Sequence, residues 1–246
     1  MQHRLVARAT QLSRFLPAVG IASLGWLVLL VIAATGNGAV IRHDRLLEGG
    51  PPLWLATMWF VGGWQVMLAA MMVPASVHAF ARVQPGTART RFAAAYFAVW
   101  TVFGLSIFFF DAAVHATVNS WPWLAAHSWL IAGTTLVVAG MYQLSNLKAH
   151  ALEACRRVEH VPTGAGVDAG GIRHGLDCVR ASGGLMLLAF ALGSGNVFTM
   201  GAITVLMVWE VTPWGSSVVK PVGYALVALG VFVLAGPISP PSWWPP

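Results

Sequence analysis

The sequence GMYQLSNLKAHALEACRRVEHVPTGAGVDAGGIRHGLDCVRASGGLM, residues 140–186, is a polar stretch between long hydrophobic runs. It holds both cysteines of the chain, Cys155 and Cys178, and three of its eight histidines, His150, His160 and His174. Five of the fourteen basic residues also lie in it. Thiols and imidazoles are the side chains that bind soft transition metals, so a metal site or other chemistry is expected first in this stretch.

The composition around this stretch is that of a membrane protein. Of the 246 residues, 57% are hydrophobic and 9% charged, and the mean hydropathy is +0.72. A soluble domain has about 25% charged residues, so this chain has too little polar surface to cover a globule in water. We therefore expect an all-α, polytopic membrane helix bundle whose main partner is the lipid bilayer. The net charge of +6 is explained by cytoplasmic loops, without nucleic acid as a partner.

Six hydrophobic runs predict about six transmembrane helices in a single domain, residues 15–238. The runs cover about 15–34, 53–73, 92–114, 124–144, 183–209 and 218–235. A helix needs about 20 residues to cross a bilayer, so the longer fifth run is expected to tilt, protrude or bend near Gly193–Asn196. Residues 1–14 form a basic N-terminal segment, and residues 239–246 form a tail rich in proline and tryptophan.

The basic residues predict the orientation of the bundle. With six spans, both termini lie on one side, together with the loop 146–182. Eleven of the fourteen lysines and arginines fall on that side, which predicts that it faces the cytoplasm and that the chain lies in the cell's inner (plasma) membrane. Cytoplasmic thiols stay reduced, so both cysteines are expected to be available to a soft metal.

The beginning of the loop predicts a short amphipathic helix between spans four and five. Apolar residues recur there at helical spacing: Leu144, Leu147, Ala151, Cys155 and Val158. Cys155 is therefore expected on the apolar face, where it is either a small buried residue or a metal ligand, and His150 points elsewhere. Glu153 and Arg157 are four residues apart and can form an ion pair.

His174 and Cys178 are also four residues apart, which on a helix places both side chains on one face. A thiolate and an imidazole suit Cu(I) or Zn(II). The glycines at 170, 171 and 175 weaken a helix here, and two ligands alone do not close a site. The alternative is a loop histidine beside a half-buried thiol.

Two further sets of candidate ligands lie near or within the spans. The second span carries Met67, Met71 and Met72, whose thioethers are soft ligands but are also ordinary packing groups. His78 can join them only if the helix breaks at Pro74.

At the far end of the third span, Asp111 and His115 share one helix face. An ionisable group inside a membrane usually has a partner or a function. The two can bind a metal, form a simple carboxylate–imidazole pair, or lie hydrated at the interface. Gln143 and Asn196 are expected to form interhelical hydrogen bonds.

Several motifs together resemble a bacterial family of predicted metal-binding integral membrane proteins, some members of which are described as copper chaperones. They are WQVMLAAMMVP (64–74), YFAVW (96–100), GMYQLSNLK (140–148), the Cys155-Arg156 pair, RHGLDCVRASGGLM (173–186) and Glu210. The resemblance covers most of the chain and implies a metal-binding integral membrane protein, with copper as the expected metal.

The chain departs from the family pattern at several cysteine positions. Ala151, Ala181 and Ser182 stand where other members often have cysteine, and Gly183 stands where they often have tryptophan. A four-thiolate site within one subunit is therefore excluded. The resemblance leaves a site of Cys155, Cys178 and a histidine such as His174, and it also gives His115 a counterpart in other members.

Three functions follow as alternatives. The first is a non-enzymatic protein that binds a transition metal, most readily copper, and exchanges it with a metal-delivering or metal-accepting protein. The second is a metal-free assembly subunit that docks partners through Arg156 and Arg157. The third is a membrane metalloenzyme that uses Asp111 and His115. The first requires that Cys155 and Cys178 meet in the fold.

Overall fold

Ten α-helices and no strand form the described part of the chain, which in the computed structural model covers residues 14–36, 46–47, 51–157, 164–191 and 196–236. The helices are α1 (Leu16–Ala34), α2 (Leu53–Ala75), α3 (Val77–Arg82), α4 (Thr87–Ser120), α5 (Pro122–Ala126), α6 (Trp129–Leu144), α7 (Asn146–Arg156), α8 (Val167–Ala191), α9 (Val197–Val211) and α10 (Ser216–Ala235). The expected all-α bundle is confirmed. The tail 239–246 and residues 1–13 of the N-terminal segment lie outside the described residues.

Four helices are long and apolar enough to cross a membrane, namely α1, α2, α4 and α10. The pair α6–α7 makes a fifth if it counts as one span, although the two helices meet at an angle of 62°. The predicted number was about six, and the fifth predicted run accounts for the difference. That run is divided between α8, which ends at Ala191, and α9, whose 15 residues extend about 22 Å, less than the roughly 30 Å of a bilayer core.

The prediction for Asn196 was wrong. Its side chain accepts hydrogen bonds from the backbone N–H groups of Phe198 (3.0 Å) and Thr199 (3.2 Å) and so caps α9. A short carboxamide at the first position of a helix satisfies otherwise unpaired N–H groups, and here that local role replaces an interhelical contact.

The second half of the predicted loop 146–182 is helical, because α8 already begins at Val167. The glycines that argued against a helix instead allow it to lie close to α4. A Cβ at Gly171 would stand 2.5 Å from the carbonyl oxygen of Phe92, and one at Gly175 would stand 3.0 Å from Cβ of Val99. Close packing of α8 on α4 therefore outweighs a propensity cost of about 1 kcal/mol for each glycine.

Aromatic side chains hold α2 against α4 in the core. The indole N–H of Trp64 donates a 2.9 Å hydrogen bond to the carbonyl oxygen of Trp100, and its ring lies over Gly104, where a Cβ would approach within 2.4 Å. Phe60 stacks on Phe108 with ring centroids 4.5 Å apart. These contacts fix α2 and α4 as the frame on which α8 is placed.

Helices α6 and α10 approach each other closely because each has glycines at the contact. A larger residue at one of these glycines is therefore expected to lower the stability of the protein. A Cβ at Gly230 would lie 2.8 Å from the backbone N of Val137 and 2.8 Å from the carbonyl oxygen of Gly133. Backbone atoms cannot move aside singly, so Gly230→Ala is expected to lower the free energy of unfolding by about 1–3 kcal/mol. Denaturant titration of detergent-solubilised protein measures this. Gly62→Ala is the control, because a methyl group there would meet no atom within 4 Å and the change should be neutral or stabilising.

Candidate metal centre

Helix α7 carries Cys155 into the bundle. The hydroxyl of Ser145 accepts a 3.2 Å hydrogen bond from the backbone N–H of Lys148, which caps the helix directly after the 62° bend from α6. The buried face of α7 consists of Lys148, Ala151, Leu152 and Cys155. The amphipathic helix therefore exists, but its predicted face was partly wrong: Leu147 is 73% exposed. Val158 lies outside the described residues, and His150 is exposed as expected.

Helix α8 carries His174 and Cys178 one turn apart on its buried face. The imidazole of His174 lies nearly parallel to two rings of α4. Its centroid is 5.9 Å from that of Phe92 and 5.5 Å from that of Tyr96. These two rings restrict the rotation of the imidazole.

The structure brings Cys155, His174 and Cys178 together. One ligand atom from each, the two sulfurs and a ring nitrogen, lie within 4.8 Å of one another. The three residues are 3%, 7% and 0% exposed, respectively. Ligand atoms on a single metal ion are at most about 4.6 Å apart, twice a metal–sulfur bond of about 2.3 Å. The cluster therefore has nearly the dimensions of a three-coordinate metal site.

Two hydroxyl groups adjust the charge of Cys178. Its sulfur lies 3.6 Å from Oγ of Ser76 and 3.4 Å from the phenol oxygen of Tyr96. Hydrogen bonds from Cys155 and then from these hydroxyls lower the pKa of Cys178, because they stabilise a thiolate. The hydrogen bond to Cys178, together with burial, raises the pKa of the Cys155 thiol. Of the two sulfurs, Cys178 is therefore the one whose thiolate form its surroundings favour, and Cys155 is the one whose thiol form is favoured.

His174 is neutral at physiological pH. Burial lowers its pKa to about 4, because the low-dielectric surroundings disfavour the imidazolium. Its Nε2 is buried and has no hydrogen-bond partner in the described structure. Buried polar atoms usually have partners, so an unpaired nitrogen beside two sulfurs is what a metal-binding group requires.

A second buried polar cluster joins α6, α7 and α9. Nζ of Lys148 lies 2.7 Å from Oε2 of Glu210, and both side chains are 1% exposed. The amide of Gln143 donates to the other carboxylate oxygen, so the expected interhelical hydrogen bond of Gln143 is confirmed. The guanidinium of Arg156 donates to the backbone carbonyl of Glu210.

The predicted methionines lie near this region without a described contact to the cluster. Met67, Met71 and Met72 are buried on α2, and Met72 is one turn before Ser76. His78 lies on a different helix, α3, because α2 continues through Pro74 and ends at Ala75. It is exposed, and its ring packs edge-on against Phe15 with centroids 5.6 Å apart.

Asp111 and His115 form a pair on α4, with Nε2 of His115 3.6 Å from a carboxylate oxygen of Asp111. They lie about 25 Å along the helix from Tyr96, so they belong to a different region of the bundle. Among the described residues, Cys155, His174 and Cys178 form a group of three potential metal ligands, and Asp111 and His115 are not part of such a group.

The residues that surround the ligands were not predicted from the sequence. Ser76, Tyr96, Lys148 and Glu210 are polar groups buried by the fold. Tyr96, Lys148 and Glu210 belong to the motifs on which the family resemblance rests, but no role for them was predicted from the sequence. The sequence did contain a signal for the pair of Lys148 and Glu210. A lysine in a short amphipathic helix and a glutamate at the end of an apolar run each need a partner of opposite charge when they are buried.

Two sulfurs and one imidazole can bind a soft metal ion in a site closed to water. A protein-family model, PpoB2, described as a copper chaperone, matches residues 61–233. The matched range contains all three residues of the cluster. Neither the curated proteins nor the solved structures gave a significant match.

Proposed function

Because the chain belongs to the PpoB2 family of copper chaperones, we propose that it binds one copper ion between Cys155, His174 and Cys178 and exchanges it with a partner protein. The observation that carries this proposal is the convergence of the three ligand atoms within 4.8 Å from two separate helices. This family match agrees with the resemblance to metal-binding membrane proteins that the sequence motifs indicated.

The donor set favours Cu(I) over other metals. Two thiolates and one imidazole are soft or intermediate ligands, and monovalent copper is satisfied by two or three of them. A structural zinc ion takes four ligands, one more than this cluster offers. Copper binds deprotonated sulfur, so binding displaces thiol protons from the cluster and copper affinity should increase as the pH rises.

Burial of the ligands supports metal binding rather than catalysis. None of the three residues is more than 7% exposed, which leaves little room for a substrate beside the metal. Exchange with a donor or acceptor protein therefore requires the cluster to open, after which that protein's thiolates replace Cys155 and Cys178 in turn. We further propose that the chain spans the plasma membrane, with α7 and the first half of α8 on the cytoplasmic side, as the distribution of basic residues favours.

Met67, Met71 and Met72 keep a secondary role in this proposal. They add soft donors on α2, and Met72 lies one turn from Ser76, whose hydroxyl is 3.6 Å from the sulfur of Cys178. They are therefore suited to hold copper that leaves the cluster. His78 does not share this position, because it is exposed and packs against Phe15.

The assembly-subunit alternative has less support. The side chain of Arg156 is bound to the carbonyl of Glu210, and that of Arg157 is paired with Glu153, as expected from their spacing. Both cations proposed for docking thus have partners within the chain. For the metalloenzyme alternative, the described part of the chain places no third metal-binding group with Asp111 and His115.

Metal analysis of the purified protein tests the proposed function. The chain is purified in detergent under reducing, oxygen-free conditions, loaded with Cu(I) and freed of excess metal. We expect about one copper ion per chain, bound by the soft donor set. His115→Ala and His78→Ala should keep that value, because neither residue lies in the cluster. Trace copper in the wild-type protein, or loss of copper in His115→Ala alone, would contradict the proposal.

A further inference from the structure

Cys155 lies on α7, a helix that Glu210 links to α9. Among the described residues, two hydrogen-bonded contacts join α7 to α9, and both are made with Glu210. Near the start of α7, the ammonium of Lys148 lies 2.7 Å from the carboxylate. Near its end, Nε of Arg156 donates a 3.1 Å hydrogen bond to the backbone carbonyl of the same residue.

These two contacts are spaced so that they fix the whole helix. Lys148 and Arg156 are eight residues apart, about 12 Å along the axis, while α7 has 11 residues in total. Cys155 immediately precedes Arg156 and shares the buried face with Lys148. A shift of either end of α7 would therefore move the sulfur of Cys155.

The other two ligands have an independent support. His174 and Cys178 lie on α8, which packs closely on α4 through Gly171 and Gly175. The distance from Cys155 to these two ligands is thus set by how α7 sits on the bundle. Glu210 also accepts from Gln143 at the end of α6, which fixes the carboxylate itself and anchors the helix that precedes α7.

We propose that Glu210 is a positioning residue of the copper centre, and that it acts by holding α7 at both ends so that Cys155 meets His174 and Cys178. This inference rests on the proposed function. A buried ion pair contributes little net stability compared with an apolar pair of the same size, but it defines a geometry. With both side chains 1% exposed, the pair admits few alternative positions of α7.

The test compares Glu210→Gln and Arg156→Gln with the wild type in the full-length chain. Glu210→Gln weakens the contact at the start of α7, and Arg156→Gln removes the contact at its end. Each variant is expected to lower Cu(I) affinity by about 10- to 100-fold, as loss of a group that orients a metal ligand does. Affinity is measured by competition with a chromogenic Cu(I) chelator, and X-ray absorption at the copper edge should show fewer sulfur ligands per copper than in the wild type.

Two control variants separate positioning from general destabilisation. Gly230→Ala loosens the α6–α10 contact, and Arg157→Gln removes an exposed cation beside Arg156. Both are expected to keep wild-type copper affinity and sulfur content. If Glu210→Gln does not fold, Arg156→Gln still tests the positioning role. The side chain of Arg156 is only partly buried, so its replacement should not prevent folding.

Three outcomes would overturn the inference. Wild-type affinity and sulfur content in both Glu210→Gln and Arg156→Gln would leave the proposed function intact and refute the positioning role. An equal loss of affinity in Gly230→Ala would assign the effect to stability alone. A wild-type chain that binds no copper would refute the proposed function together with this inference.

Discussion

Replacing Cys155 and Cys178 together with serine should reduce bound copper from about one ion per chain to a trace, an affinity loss of at least three orders of magnitude, or about 4 kcal/mol. A serine hydroxyl is a hard ligand that stays protonated at neutral pH, so the variant offers Cu(I) only the imidazole of His174. Metal analysis and competition with a Cu(I) chelator measure the loss.

A second variant on α7 serves as the control for the double cysteine variant. His150→Ala changes an exposed residue on α7, five positions before Cys155, and should bind copper like the wild type. Circular dichroism should show the same helix content in all variants. Retention of about one copper ion by the double cysteine variant would move the site elsewhere in the chain and remove the basis of the proposed function.

Breaking the buried ion pair should have the largest effect on stability. Lys148→Met leaves the carboxylate of Glu210 without its cation in a site that is 1% exposed. Removal of one partner of a buried pair costs about 3–5 kcal/mol, because the remaining charge stays desolvated. Glu210→Gln should cost a similar amount, since it leaves the ammonium of Lys148 uncompensated. Denaturant titration in mixed micelles, followed by tryptophan fluorescence, measures both changes.

The double variant Lys148→Met/Glu210→Gln should regain most of the stability lost in either single variant, because no buried charge remains. An exposed pair provides the matched comparison. Glu153 and Arg157 are also joined by an ion pair, but both side chains are more than half exposed, so Glu153→Gln should change stability by no more than about 0.5 kcal/mol. Equal effects at the buried and exposed pairs would contradict this account.

The cluster of Cys155, His174 and Cys178 shows how much of the site can be predicted from the sequence alone. Helical spacing correctly placed His174 and Cys178 on one face, and hydrophobic spacing placed Cys155 on the buried face of a short helix. Both inferences depend on local periodicity, which a single segment contains. The meeting of α7 with α8 could not be derived in this way, because it depends on contacts with α4 and α9 far away in the chain.

The errors have a common physical cause, which is that packing overrides local preference. Glycines at 170, 171 and 175 were expected to weaken a helix, yet they lie inside α8, and Gly171 and Gly175 pack closely against α4. The long fifth run predicted one span, but its first part completes a helix that began in the polar stretch. Glu210 follows an apolar run in the sequence, and its buried position depends on an ion pair with Lys148, 62 residues away.

X-ray absorption at the copper K-edge of the Cu(I)-loaded wild-type protein tests the central claim most directly. The cluster of Cys155, His174 and Cys178 predicts a shell of two sulfurs and one nitrogen around each copper ion. The sulfur contribution should disappear in the double cysteine variant. A shell of nitrogen and oxygen alone, or a sulfur contribution that survives the loss of both cysteines, would contradict the account.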